Sequence, residues 1–311
     1  GVDKLKEAFD RIDDKNVRRL GSKSVLQTMA SGVTAFLNQK IGFGNRVLTN
    51  SSACATGTEA IILAADRIRQ GKAKRMIAGG CDSHGPYVWG GFDSMRVLCR
   101  KYNDRPQEAS RPMSATARGF VPGSGGAAVV LEALDSALAR GARIYAEYLG
   151  GAVNSGGQRG RGSMTAPNAQ GIQRCIADAL QDSQVLPNQI DAISGHLTAT
   201  MGDPVEIENW ATALHRQGDD FPVIHSLKSM IGHCLSAAGA IESVAVVMQL
   251  YEDFFHASLN SEDLHPRITE IIAPAKIPQQ LMHQTGFSII AKSSFGFGDV
   301  NACALLGKWE A

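Results

Sequence analysis

Residues 46–71, RVLTNSSACATGTEAIILAADRIRQG, decide how the chain reads. A β-rich run at 46–50 meets a loop of small residues that carries Cys54. The loop enters a helical pattern with Ile61, Ala64, Ala65 and Ile68 on one stripe, closed by Gly71. The same strand–loop–helix unit recurs at 191–214, DAISGHLTATMGDPVEIENWATAL, and at 222–251, PVIHSLKSMIGHCLSAAGAIESVAVVMQLY. A last β-run, FSIIAKS (287–293), leads into the glycine loop at 294–299, SFGFGD, and then a final strand, VNACALLGKW (300–309). Alternating strands and helices imply an α/β protein with parallel or mixed sheets. Functional groups in such sheets collect at the carboxyl ends of strands. Cys54, His196, Lys228, His233 and the glycine loop all fall at such positions.

The first forty-odd residues read as helical pieces, with 24–42 spaced near 3.6. The segment 135–150, DSALARGARIYAEYLG, predicts a helix ending at Gly141 and then a strand. That places a division near residue 142, between similar halves spanning 1–142 and 143–311.

Composition narrows the class. Hydrophobic residues make up 44% of the 311 and charged residues 20%, an ordinary globular balance. Thirty-one basic and 30 acidic residues leave a net charge of +1, which argues against nucleic acid as a bulk partner. No apolar run is long enough to span a membrane, since Glu242 and Glu252 interrupt 237–255. The opening residues 1–14 are charged and lack the apolar core of a signal peptide. Six cysteines without a CxxC or a close Cys/His ladder disfavour both structural zinc and a disulfide framework, and fit a reducing cytoplasm.

Unpaired N–H groups at a helix start favour a thiolate, so Cys54 reads as a nucleophile of lowered pKa or as a small residue filling a turn. Asp203, Pro204 and Glu206 read as an N-cap, a first-turn proline and a capping-box carboxylate. His196 precedes them in the loop beside Thr198 and Thr200, whose hydroxyls could bind a ligand or satisfy a turn. Lys228 shares its stretch with His233, and a buried pairing of Lys228 with Glu242 on the next helix would explain both charges. An N–H from the loop at Phe297 could complete an oxyanion hole, or the glycines could mark a β-bulge. The remaining histidines, including His225, His256 and His265, read as ordinary surface or core residues.

Together, SSACATG (51–57), GHLTAT with its following GD and Glu206, LKSMIGH with LSAAG and Glu242, and SSFGFGD with Asn301 resemble the signature series of β-ketoacyl-ACP synthases. The connectors KYNDRPQEASRP (101–112) and ALARGARIYAE (137–147) resemble the type I bacterial condensing enzymes, and the likeness runs through nearly the whole chain. The resemblance implies a thiolase-like fold, two similar α/β halves in a layered α-β-α-β-α arrangement, as a homodimer. It also implies a further segment ahead of these motifs, so that the first half is N-terminally incomplete and unstable alone.

Carried over, Cys54 accepts an acyl group, and the N–H groups of Cys54 and Phe297 form the oxyanion hole. His196 and His233 stabilise the enolate left by decarboxylation of malonyl-ACP. Lys228 tunes His233 and pairs with Glu242, while Asp203 and Glu206 support the site. Thr198 and Thr200 lie along the phosphopantetheine arm, and Phe295 and Phe297 gate the acyl entrance. The implied partner is an acidic acyl carrier protein, for which Lys15, Arg18 and Arg19 are docking candidates. No metal or organic cofactor is implied. This chain departs from the family pattern at Leu197, Leu227, Ser293 and Asp299, the last of which bears on loop flexibility. A thiolase, a non-catalytic ketosynthase partner subunit and a Cys/His hydrolase are the competing readings.

Overall fold

The computed structural model describes residues 2–310. Helices α1 (Val2–Asp13), α2 (Ser24–Thr28) and α3 (Gly32–Ile41) come first, and α4 (Thr56–Arg69) follows the Cys54 loop. Then come β1 (Arg75–Asp82), α5 (Pro86–Ser94), β2 (Gly125–Glu132), α6 (Leu134–Ala139) and β3 (Glu147–Ser155). Helix α7 (Ala169–Ser183), β4 (Ala192–Ser194), α8 (Asp203–Leu214), β5 (Val223–His225), α9 (Lys228–Ile231) and α10 (Ala238–Glu252) follow. The chain closes with β6 (Phe254–Phe255), α11 (Pro266–Thr269), β7 (Met282–His283), β8 (Ile289–Gly296) and β9 (Val300–Gly307).

A five-stranded sheet in the order β3-β9-β8-β4-β5 forms the centre. Its β3/β9 and β9/β8 ladders are antiparallel, and β8/β4 and β4/β5 are parallel. Strands β8 and β9 are buried along almost their whole length, because α7 covers one face and α4 with α10 the other. Helix α8 packs on α7. The antiparallel pair β1/β2 lies on the far side of α4 and α10. Along β2, Val129 and Leu131 pack with Ile61 and Ala64 of α4, while Val130 between them is 63% exposed. The described layers therefore run β-α-β-α, and the outer face of β2 carries no helical layer among the described residues.

Helix α4 buries the stripe of Ile61, Ala64 and Ala65 that the sequence predicts. Each fully buried isoleucine is worth roughly 1.5–3 kcal/mol. Helices α4 and α10 start against each other. A Cβ on Gly57 would stand 2.4 Å from Ala240 N, and one on Gly239 would stand 2.4 Å from Thr58 Oγ1. Only glycine permits that approach.

One expected strand is absent. Residues 46–50 are assigned to no strand, because no neighbouring strand among the described residues offers a ladder partner. The glycine loop is also tighter than expected. Strand β8 runs on through Gly296, so the turn into β9 comprises only residues 297–299.

Candidate active site

The parallel strands β4, β5 and β8 end on one side of the sheet, and each delivers a candidate group there. His196 lies two residues past β4, Lys228 three past β5, and Phe297 one past β8. Cys54 arrives from a different direction, in a 3-10 turn (Ala53–Ala55) that runs directly into α4. The same entry is built at α10, where the 3-10 turn Leu235–Ala237 follows His233. Each turn starts on a non-glycine residue with positive φ, Ala53 at 47° and Leu235 at 51°. Such a conformation costs on the order of 1–3 kcal/mol and persists only where surrounding contacts impose it.

These elements converge on one centre. His233 Nε2 is 3.1 Å from Cys54 Sγ, and the rings of His196 and His233 stand 5.3 Å apart, nearly perpendicular. The Leu235 N–H donates to His233 Nδ1 at 3.2 Å, so the proton of the neutral imidazole sits on Nε2 and points at the sulfur. The Phe297 N–H also donates to that sulfur. Gly296 makes this possible, since a Cβ there would stand 2.9 Å from Ser52 O and 3.2 Å from Cys54 N.

The expectation of a low-pKa thiol is overturned. Burial pushes the Cys54 thiol up to about 11, and this outweighs the opposing Lys228 charge and the Phe297 N–H. Burial also holds His196 and His233 well below the usual histidine range, with Lys228 acting in the same direction. Both imidazoles are therefore neutral near pH 7 and available as N–H donors.

The capping-box reading of α8 is also corrected. Gly202 occupies the N-cap, and the two carboxylates reach back into the His196 loop. Glu206 accepts the N–H groups of His196 (2.7 Å) and Leu197 (2.8 Å), together with the Ser293 hydroxyl (3.0 Å). Asp203 accepts from Thr198 N (2.8 Å), Ala199 N (3.0 Å) and Met113 N (2.8 Å). Buried loop N–H groups need acceptors, and these carboxylates supply them where water cannot.

Lys228 bonds Glu242, both fully buried. A second buried lysine, Lys292 on β8, stands 2.9 Å from the other oxygen of Glu242. Sequence reasoning missed it, although a lone cation inside the buried run of β8 is a readable signal. It also passed over His225 and His256, whose buried rings meet at 3.8 Å.

Cys54, His196, His233, Thr198, Thr200, Phe295 and Phe297 line one cavity of about 1010 Å³. Arg96, Arg118, Arg161 and Arg267 reach its wall, whereas Lys15, Arg18 and Arg19 do not line it. Ligand atoms of Cys54, His196 and His233 lie within 4.8 Å of one another, a spacing a soft metal ion could bridge. The Nε2–H that Leu235 imposes on His233 leaves no lone pair facing the sulfur, so the set suits hydrogen-bond donation better than ligation. Cys303 is buried in the core on β9, away from this cavity. No helix among the described residues is long and apolar enough to cross a membrane.

Comparison with known proteins agrees with this geometry. The family descriptions "Beta-ketoacyl synthase, N-terminal domain" and "Beta-ketoacyl synthase, C-terminal domain" match residues 3–137 and 145–262. The 3-oxoacyl-[acyl-carrier-protein] synthase 1 of Haemophilus influenzae is 36% identical, over 95% of this chain and 70% of its own length. The chloroplastic 3-oxoacyl-[acyl-carrier-protein] synthase I of Arabidopsis thaliana is 35% identical, over 97% of this chain and 62% of its own length. Among solved structures, a β-ketoacyl synthase from Burkholderia phymatum superposes with a TM-score of 0.89 at 29% identity, covering 100% of this chain and 73% of that one. A type II polyketide ketosynthase solved with its acyl-carrier protein gives 0.85 at 30% identity, covering 94% and 70%. The fold is thus the thiolase-like fold of the ketosynthases, and the chain belongs to the β-ketoacyl synthase family.

Proposed function

We propose that this protein is a β-ketoacyl-ACP synthase that lengthens an acyl chain by two carbons through decarboxylative Claisen condensation. One observation carries the reading: Cys54 Sγ, two neutral imidazoles and the Phe297 N–H converge on a single large cavity. Cys54, as its thiolate, attacks the thioester of an acyl carrier protein. A carbon–sulfur bond forms at Cys54, and the carrier thiolate leaves and takes up the thiol proton. The N–H groups of Cys54 and Phe297 hold the intervening oxyanion. Malonyl-ACP then enters with its arm along Thr198 and Thr200. Its carboxylate leaves as carbon dioxide, and the released electron pair becomes an enolate whose oxygen accepts from His196 and His233. The carbanion attacks the acyl-Cys54 carbonyl, and the carbon–sulfur bond breaks to return the thiolate and a β-ketoacyl-ACP. Covalent capture splits one difficult condensation into two manageable steps, and neither needs a cofactor of the protein's own.

In this reading Lys228 with Glu242 steadies His233, Asp203 and Glu206 fix the His196 loop, and Phe295 and Phe297 gate the acyl entrance. The halves 1–142 and 143–311 each contribute one 3-10-to-helix entry, the first with Cys54 and the second with His233. The partner is an acidic carrier protein, docking near Lys15, Arg18 and Arg19, and the protein works as a cytoplasmic homodimer. The buried place of Cys303 speaks against a thiolase, and retention of Cys54 against a non-catalytic subunit. The test is acyl loading from acyl-ACP followed by malonyl-ACP, comparing wild type with Cys54→Ala and His233→Ala. Cys54→Ala should form no acyl-enzyme, and His233→Ala should load but release little carbon dioxide. A wild type that neither loads nor decarboxylates removes the reading.

A further inference from the structure

Lys292 is a buried ionisable group that this mechanism leaves unused. It sits mid-strand in β8, opposite Ser194 of β4 and Ala304 of β9, and is 0% exposed. Its ammonium bonds Ser293 O, reaches Ser294 Oγ at 3.2 Å, and lies 2.9 Å from Glu242 Oε2. Ser294 Oγ is in turn 2.9 Å from Thr58 Oγ1 on α4, the helix that Cys54 precedes. On the other side, Glu242 Oε1 holds Lys228. A polar chain therefore crosses the interior from Thr58 through Ser294, Lys292 and Glu242 to Lys228.

Desolvating an ammonium costs several kcal/mol, so the partners of Lys292 must offset that cost. Glu242 gains as well. With Lys228 on one oxygen only, its carboxylate could swing and draw Lys228 along; cations on both oxygens leave it one orientation. The charged groups facing Lys292 are Glu242 from α10, Lys228 from α9 and Glu206 from α8. His196 and His233 feel its charge together with that of Lys228.

We infer that Lys292 is a positioning residue for the decarboxylation step: it pins the far oxygen of Glu242 so that Lys228, and the His196 and His233 pair beside it, keep one geometry. The inference rests on the ketosynthase reading. Beyond geometry, the second cation opposes protonation of both imidazoles, so its removal should let them protonate at higher pH.

The test measures carbon dioxide release from malonyl-ACP against pH for wild type and Lys292→Met, using the full chain. We expect kcat to fall roughly 10-fold with KM changed less than about 2-fold. The acid limb should move up by about half to one pH unit. Lys292→Ala should show the same loss and be partly restored by methylammonium, but not by tetramethylammonium at equal ionic strength. An unmoved acid limb, or a loss that methylammonium leaves untouched, overturns the inference. If neither variant folds, Lys292→Gln decides, since it keeps a donor for Glu242 and drops the charge: its acid limb should also move up, and a limb left at the wild-type position overturns the inference. A wild type that releases no carbon dioxide sinks the ketosynthase reading instead, and the inference falls with it.

Discussion

The backbone N–H of His196 donates to Oε1 of Glu206 across 2.7 Å, so a carboxylate on α8 fixes the loop that presents the imidazole. Its second oxygen takes the Leu197 N–H, and Ser293 Oγ completes the set. Removing this acceptor would leave three buried donors without partners, at about 1–3 kcal/mol each. Glu206→Ala should lower stability by a few kcal/mol on this basis. A His196 displaced by even 1 Å should slow decarboxylation on the order of 100-fold. Chemical denaturation and carbon dioxide release would check both. A Glu206→Ala protein with wild-type turnover would show that the loop holds itself.

The raised thiol gives a second prediction. Cys54 sits half-buried at the cavity wall, where burial disfavours the thiolate and Lys228 pulls the other way. Alkylation of Cys54 by iodoacetamide should therefore keep accelerating above pH 9, toward about 11. Lys228→Met removes the opposing charge, so the thiol should rise further and react more slowly at any pH below that. A rate that levels off near pH 8 in the wild type would contradict this.

That result bears on how far the sequence could be read. Local spacing marks the helix after Cys54 and the strand-end loops, because periodicity and small-residue runs are local signals. Its error over the thiol is instructive: a helix start stabilises an anion, but the burial that opposes it arises only when β8, α10 and α4 pack against the Cys54 turn. Asp203 and Glu206 misled for the same reason. Their spacing fits a cap, yet the donors they satisfy come from the preceding loop, from Met113 ninety residues before Asp203, and from Ser293 on β8. Lys292 carried a local signal that only tertiary pairing with Glu242 makes meaningful. Residues 46–50 show the converse, a β-rich run with no ladder partner among the described residues, because a ladder needs a neighbour.

Buried histidines give a pH prediction. His225 on β5 is fully buried against Phe255 and His256, and burial holds it well below the usual range. Because the folded-state value is depressed, only the unfolded chain gains this proton as pH drops below about 6.5. Stability is then lost as pH falls, at roughly 1.4 kcal/mol per pH unit for each such proton. His225→Gln should remove one such contribution. Between pH 7.5 and 5.5 its unfolding free energy should fall less than that of wild type, by about 1 kcal/mol. Urea titrations at the two pH values would measure it; parallel losses would mean that His225 is protonated in the folded state.

Asp299 offers the last test, at the position where the chain departs from a glycine. Its φ of 62° is one that L residues rarely adopt, so something holds it there. The carboxylate accepts from Gln158 N at 2.7 Å and from Asn168 N at 2.9 Å, while Gly156 N donates to its carbonyl at 2.9 Å. Gly298 N meanwhile donates to Met164 O at 2.8 Å. The turn that presents Phe297 is thus tied to the loop that contributes Arg161, Thr165 and Pro167 to the cavity wall. Asp299→Gly relieves the backbone but removes both acceptors. The amides of Gln158 and Asn168 should then exchange with solvent about 10- to 100-fold faster, as expected for losing about 1–3 kcal/mol of local order. Asp299→Asn keeps one acceptor and should fall between. Unchanged exchange in Asp299→Gly would mean that the backbone bonds alone hold the two loops together, and that this carboxylate leaves the gate as free as a glycine would.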